Sequence, residues 1–402
     1  MARNCVVLLS VMCFVSFINL NQAYKLKQVL MLSRHNIRTP LTKNLQYASP
    51  YEFPKWGQEP GHLTEKGVLL EGYMGEYFHK WFLKQGFFLE GCPEDNEINI
   101  YANTRQRTKA SAKAFAKSAF KDCNVRVFHI DSDEMDPIFN PVLRNSSIEL
   151  RKAIIKEMQT KLSGLQLQES YLELNKILNL NQSRICEIEK VCDLTEQNND
   201  IVYQVGIEPN IMGPLNMGNA IVDSFLMSYY EGMPLEKVAW GQMKTESQWK
   251  LLTRITKEDQ NVRFNSTVLA KEVARPLLNY MLEVLERTNG PKFTLLVGHD
   301  SNLNPVIASL SFVSKDLPEQ YERTPVGGKL VFQKIEDDSG KEFLKVDFVY
   351  QSFQQLRNGS KLSLENPPLW LPMQIKTCSN ENGYCPWNSF IYLLRNIDEN
   401  CI

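Results

Sequence analysis

An α/β fold interrupted by a helical insertion is predicted by three features of the sequence. Two short apolar runs, 29–32 and 293–297, each lead directly into a polar cluster, Arg34-His35-Asn36-Ile37-Arg38 and Gly298-His299-Asp300. In open α/β sheets ligands bind in the crevice outside the carboxyl ends of strands, so the two clusters read as halves of one site. Between them, residues 131–275 carry helix-like apolar spacing broken by polar stretches. The length of 402 residues also exceeds the size at which one core usually keeps growing. The expected arrangement is an α/β domain built from 24–130 and 276–402, with a mostly helical domain, 131–275, inserted into it.

Taken in order, residues 1–23 read as a cleaved secretory signal. Arg3 lies in a short n-region, 5–18 is apolar, and the small Ala23 precedes a mature start at Tyr24. A membrane anchor is the alternative, disfavoured because the apolar stretch is short for a spanning helix and no stop-transfer pattern follows. Residues 28–33 form the first strand, and Arg38-Thr39-Pro40 marks its exit into a loop. Residues 41–62 are rich in Pro, Gly and aromatics without a period, and Thr64 caps a helix through Tyr73 and Tyr77 to Phe82. A strand at 98–102 ends at Asn103, and 104–108 leads into a helix over 109–120. Arg107 thus falls at a strand-to-helix junction, where unpaired backbone N–H groups favour anions.

The insertion reads as helices at 148–162, 170–178, 218–230 and 268–285. Strands return at 293–297, 329–333 and 344–350, with Gly327-Gly328 turning the chain before the second. Asn145, Asn181, Asn265 and Asn358 begin N-x-Ser/Thr triplets, which matter only in a host that glycosylates secreted chains.

The 45 basic and 46 acidic residues nearly cancel and no long basic run occurs, which excludes the electrostatic footprint of a nucleic-acid binder. Any anion site must be local. Loss of the signal removes Cys5 and Cys13 and leaves seven cysteines. Export permits disulfides: Cys186/Cys192 and Cys378/Cys385 would each close a short loop, leaving Cys92/Cys123 as the third pair and Cys401 over. The short loops would gain about 2 kcal/mol each and the longer one about 4 kcal/mol, before native strain. No compact Cys/His quartet stands at ligand spacing, so no metal site is expected.

The chemistry concentrates in the clusters. Arg34 and Arg38 flank His35 with planar cationic forks suited to the oxygens of a tetrahedral anion, and Arg107 and His299 would complete the pocket. A neutral His35 there could attack phosphorus to give a phosphohistidine. Asp300 could protonate the leaving alkoxide and later activate water. This chemistry needs neither metal nor cofactor. His62, His79 and His129 have no such setting and take no role, and the tryptophans read as packing.

These residues carry a resemblance. Arg34-His35-Asn36-Ile37-Arg38-Thr39-Pro40 matches the RHxxRxP hallmark of the histidine acid phosphatases, and His299-Asp300 matches their distal HD pair. Further similarity runs through 29–36, 135–141, 228–232 and 297–302, and includes the spacing of six cysteines. The resemblance implies a phosphoglycerate-mutase-like α/β domain with a helical insertion, in a bacterial periplasmic enzyme. It implies small phosphate monoesters as substrates, glucose 1-phosphate foremost and inositol hexakisphosphate second. It also implies that Glu231, from the insertion, contacts the sugar; the residues alone would make Glu231 an ordinary exposed charge. Cys401 departs from the six-cysteine pattern and leaves its oxidation state, or its part in a homodimer, open. Two other readings stand beside this one: a secreted phosphate-ester-binding protein without turnover, and a phosphoglycerate-mutase-like transferase, against which the export signal argues.

Overall fold

The computed structural model describes residues 24–397 except 43; the expected signal segment 1–23 and Cys401 lie outside the described residues. The chain begins with strand β1 (Lys25–Arg34), helix α1 (Glu65–Lys84), strand β2 (Ile98–Ala102) and helix α2 (Gln106–Ala119). There follow α3 (Ile148–Ser163), α4 (Gln168–Leu178), α5 (Arg184–Glu189), the short strands β3 (Asp200–Val202) and β4 (Asn210–Met212), α6 (Pro214–Glu231), α7 (Glu246–Phe264) and α8 (Thr267–Glu286). The last part holds β5 (Phe293–Gly298), α9 (Asp300–Ser309), β6 (Lys329–Glu336), β7 (Glu342–Tyr350), α10 (Phe353–Asn358), β8 (Leu369–Met373), β9 (Cys385–Pro386) and α11 (Trp387–Arg395).

The α/β class is the one expected. A seven-stranded mixed sheet runs β2-β5-β1-β6-β7-β8, with β9 also paired to β7. β1 is central: β5 lies parallel on one side and β6 antiparallel on the other. Bonded on both sides and buried over its last six positions, β1 reads in sequence as a continuous apolar run rather than an alternation. Pairing with β6 begins at Lys25, which is why the strand starts before the apolar stretch does.

Register places the site. Arg34 stands opposite Gly298 and Ala102 opposite Val297, so the ends of β1, β5 and β2 are level at one edge of the sheet. Helices α1 and α2 cover one face through a core that includes Phe78, Phe82, Phe115 and Phe293. Helices α8, α9 and α11 cover the other. α1 starts where the sequence indicates, with the Thr64 hydroxyl accepting from the Gly67 N–H.

A second core, with Leu174, Ile221, Phe225, Leu252 and Ile255 at its centre, unites α4, α6 and α7. α8 belongs to both cores: Leu269 and Val273 pack into the helical one, Leu277, Met281 and Val284 against the sheet. The expected boundary at 275/276 therefore falls inside a continuous helix. α2 starts at Gln106 rather than 109, which draws Arg107 into its first turn. Disulfides join Cys92 to Cys123, Cys186 to Cys192 and Cys378 to Cys385.

Sequence patterning did not find α7 or α9. α7 buries Thr253, Thr256 and Asp259 beside its apolar residues, which blurs the apolar stripe. α9 contains Pro305.

Candidate active site

The residues after three strand ends converge on one cavity of about 290 Å³. β1 delivers Arg34, His35 and Arg38, the start of α2 delivers Arg107, and the β5–α9 junction delivers His299 and Asp300. The His35 and His299 rings lie edge to face with centroids 5.4 Å apart. All six expected residues of the phosphate pocket thus share one space.

Hydrogen bonding assigns both imidazole tautomers. His35 Nδ1 lies 2.8 Å from the Asn36 carbonyl oxygen, which can only accept, so the proton is on Nδ1 and Nε2 carries a free lone pair. Asn103 lies just past β2, and its Oδ1 accepts from the backbone N–H groups of Thr104 and Asp136. Its Nδ2 is then the donor 3.0 Å from His299 Nε2, which puts the His299 proton on Nδ1. That Nδ1 is buried without a hydrogen-bond partner among the described residues, as are the Nε atoms of Arg34, Arg38 and Arg107. Buried donors are ordinarily satisfied, so four unmatched ones on residues that line one cavity suit an oxyanion there.

The arginines are oriented by carboxylates. Arg38 makes a bidentate pair with Asp223 of α6, at 2.9 and 3.0 Å. Arg34 donates to Glu322 Oε1 at 2.8 Å and to the Thr324 carbonyl at 2.6 Å, and its Nη2 lies 3.1 Å from Asp300 Oδ2. Arg107 has no ion pair among the described residues, its nearest acceptor being the Gly61 carbonyl at 3.4 Å. Burial, and then the proximity of Arg38, push its guanidinium down to about 9. At acid pH it is still a cation, with Asp300 as a carboxylate acting on it without a direct ion pair among the described residues.

The same field acts on the titratable groups. Burial, followed by Arg107, His299, Arg34 and Arg38, holds His35 well below the usual imidazole range, so its lone pair survives into acid solution. Burial pushes the Asp300 carboxyl up, but Arg34, Arg38 and His299 together outweigh it and leave the group below its ordinary value. An anion bound among the arginines would offset those cations and let the Asp300 carboxyl rise.

Glu231 is not brought to the cavity. It ends α6, beside Thr64 and Lys66, and does not line the pocket. Asp223 of the same helix does, and eight residues of helix separate them by about 12 Å. The acid that does line the cavity from the insertion, besides Asp223, is Glu208, between β3 and β4. Arg263 of α7 holds it, donating to Glu208 Oε1 at 2.6 Å, to the Pro209 carbonyl at 2.8 Å and to Asp259 at 3.1 Å. Burial raises the Glu208 carboxyl, Arg263 opposes this, and Asp300 and Asp259 add to the rise.

Sequence reading thus missed Asn103, Asp223, Glu322 and Glu208. Asn103 had a signal, a polar residue at the end of a strand. The other three lie on helices or loops whose approach to β1 has no local trace.

A sheet edge carrying a histidine between arginine clamps, with a second histidine and an aspartate opposite, defines a phosphoryl-transfer site of the histidine phosphatase type. The chain belongs to the histidine phosphatase superfamily (branch 2), whose model matches residues 25–196. It is 40% identical over 378 residues to the glucose-1-phosphatase of Salmonella typhimurium, covering 92% of each chain. It is likewise 40% identical to the glucose-1-phosphatase of Providencia rettgeri, covering 91% of this chain and 90% of that one. Among solved structures, the phytase from Citrobacter braakii superposes with a TM-score of 0.86 at 28% identity, covering 93% of this chain and 98% of the other.

Proposed function

We propose that the protein is an exported acid phosphomonoesterase that hydrolyses glucose 1-phosphate through a phosphohistidine at His35. The observation that carries this reading is the set of unmatched donors from Arg34, Arg38, Arg107 and His299 around a histidine whose Nε2 lone pair is free. The choice of sugar rests on the similarity to glucose-1-phosphatases. Export to the periplasm is supported by the signal-like 1–23 segment and three disulfides. No helix among the described residues is long and apolar enough to cross a membrane.

In the first step His35 Nε2 attacks phosphorus, the bond from phosphorus to the sugar oxygen breaks, and the Asp300 carboxyl gives its proton to that oxygen. Glucose leaves. The positive charge gained by the imidazole is eased by the Nδ1–H bond to the Asn36 carbonyl. The arginines and the His299 Nδ1–H stabilise charge on the equatorial oxygens as it redistributes. In the second step the Asp300 carboxylate takes a proton from water as the water oxygen attacks phosphorus; the N–P bond breaks, phosphate is released, and both groups are regenerated.

Glu208 supports a preference for singly phosphorylated substrates that strengthens as pH rises, because its raised carboxyl must ionise before it repels further phosphates, while in either form it accepts sugar hydroxyls. Inositol hexakisphosphate is the second substrate, favoured by Lys257 and Arg323 in the same wall and by the similarity to a phytase. The test is the initial rate of phosphate release by the purified protein from each substrate at matched concentration near pH 4.5. The expected result is faster release from glucose 1-phosphate. Faster release from inositol hexakisphosphate would make the protein a phytase first, and binding without release would make it a phosphate-ester-binding protein.

Glu208→Gln separates the wall charge from the chemistry. Measured near pH 6.5, where the raised carboxyl is more fully ionised than at pH 4.5, it is expected to raise the ratio of inositol hexakisphosphate to glucose 1-phosphate specificity about tenfold, the size of a Coulomb term across a few ångströms of partly solvated pocket. An unchanged ratio would remove Glu208 from substrate selection.

A further inference from the structure

Behind the nucleophile lies a charged pair that the mechanism above does not use. Lys329, the first residue of β6, and Glu71 of α1 have fully buried side chains and meet at 2.7 Å. Lys329 Nζ also donates to Ser33 Oγ at 2.9 Å and to the Gly327 carbonyl at 3.1 Å. The other Glu71 oxygen, Oε2, accepts from Asn36 Nδ2 at 3.0 Å. Asn36 Oδ1 accepts from the Ile37 N–H at 2.9 Å, and the Asn36 N–H donates to Ser111 Oγ at 3.1 Å. Every polar atom of the Asn36 side chain and its backbone N–H is thereby engaged, and only its carbonyl is turned to His35.

We propose that the buried Lys329–Glu71 pair is a positioning device for the nucleophile, gripping Asn36 so that its carbonyl takes the Nδ1 proton of His35 and leaves Nε2 aimed at phosphorus. The inference rests on the reading of His35 as nucleophile. Burying two charges is costly, and replacing such a pair by apolar residues is often neutral or stabilising. A pair of this kind beneath a reactive group therefore has a reason other than stability. Space is consistent with the role: Gly327 has φ +69°, and a Cβ there would stand 2.5 Å from Asn36 Nδ2, so the turn before β6 closes over Asn36 and leaves it no alternative rotamer on that side. Pairing of the Gly327 N–H with the His35 carbonyl at 3.0 Å ties the same turn to the nucleophile's own backbone.

The experiment uses the double variant Glu71→Leu/Lys329→Met, which removes both charges together. Asn36→Leu cuts the grip at its other end and leaves the pair in place. Each protein is followed by steady-state kinetics on glucose 1-phosphate and by ¹⁵N NMR of labelled histidine, which reads the His35 tautomer directly. The expected result for both is a fall in kcat of about 30-fold with KM changed less than threefold, the signature of a misaimed reacting group. The His35 signal should move from pure Nδ1–H towards a mixture of tautomers. A folded double variant, or a folded Asn36→Leu, that keeps the kcat and the Nδ1–H signature of the parent protein overturns the inference. His35→Ala is run alongside: ordinary turnover in that variant would overturn the nucleophile assignment itself, a different outcome from an inactive His35→Ala beside unaffected network variants.

Discussion

Replacing His35 by alanine is expected to lower turnover of any phosphate monoester by about 10⁴-fold or more, because the variant has no atom to receive the phosphoryl group. The remaining arginines and His299 should still bind anions. These residues line the same cavity, and alanine removes none of them. The measurement pairs kcat with a phosphate-binding isotherm and a thermal melt. Lost turnover with retained binding and a cooperative melt supports the assignment; ordinary turnover sinks it. Acid solution adds a second check. His35 is held well below the usual imidazole range by burial and by four neighbouring cationic or histidine groups. Lowering the pH through the ordinary histidine titration should therefore cost the parent protein less activity than protonation of an exposed imidazole would.

Asp300→Asn is expected to distinguish the two steps. Loss of a general acid typically costs about 10² to 10⁴-fold, and the loss should appear in full with glucose 1-phosphate, whose alkoxide needs a proton to depart. With p-nitrophenyl phosphate the leaving group departs without one. The first turnover should then remain fast and the second slow, giving a burst of nitrophenolate as phosphohistidine accumulates. Equal losses in the single-turnover rates of both substrates would argue that Asp300 only orients Arg34, to which it is paired at 3.1 Å.

The pH dependence follows with its sign. In the free pocket the arginines keep Asp300 below its ordinary value despite burial. The acid form needed for the first step is therefore scarce until a bound phosphate offsets those cations. Once the anion is bound, burial is left to raise the carboxyl, so kcat for glucose 1-phosphate should hold at acid pH and fall as pH rises through the titration of the complex. Asp300→Asn should flatten that limb.

Much of this site was legible because its residues sit where strands end. A buried strand with helices on both faces reads as an unbroken apolar run, and the polar residues that follow are forced to the crevice edge, so His35 and His299 could be placed from local sequence, whereas Asn103 follows the alternating strand β2 and was passed over. The two short-loop disulfides and the capped start of α1 were local in the same way, while Cys92–Cys123 followed as the pair left over. α7 was not, since burial of Thr253, Thr256 and Asp259 depends on neighbours from other elements.

Glu231 and Glu208 mark the limit most clearly. Both are acids of the insertion, and nothing in the residues around them says which faces the cavity. The direction in which α6 crosses the sheet edge decides it: that packing brings Asp223 to Arg38 and leaves Glu231 beside Lys66. Glu208 enters instead, on a loop held by Arg263 from a helix about fifty residues further on. The sequence by itself determined the α/β class, the histidine, arginine and aspartate residues that share the cavity, and the strand ends that carry most of them, because each follows from periodicity and from residues adjacent in the chain. The tertiary structure alone decided which tautomer each histidine holds, which carboxylates orient the arginines and which acid of the insertion lines the cavity. Those depend on distances between elements far apart in sequence, set by how the helices pack over the sheet.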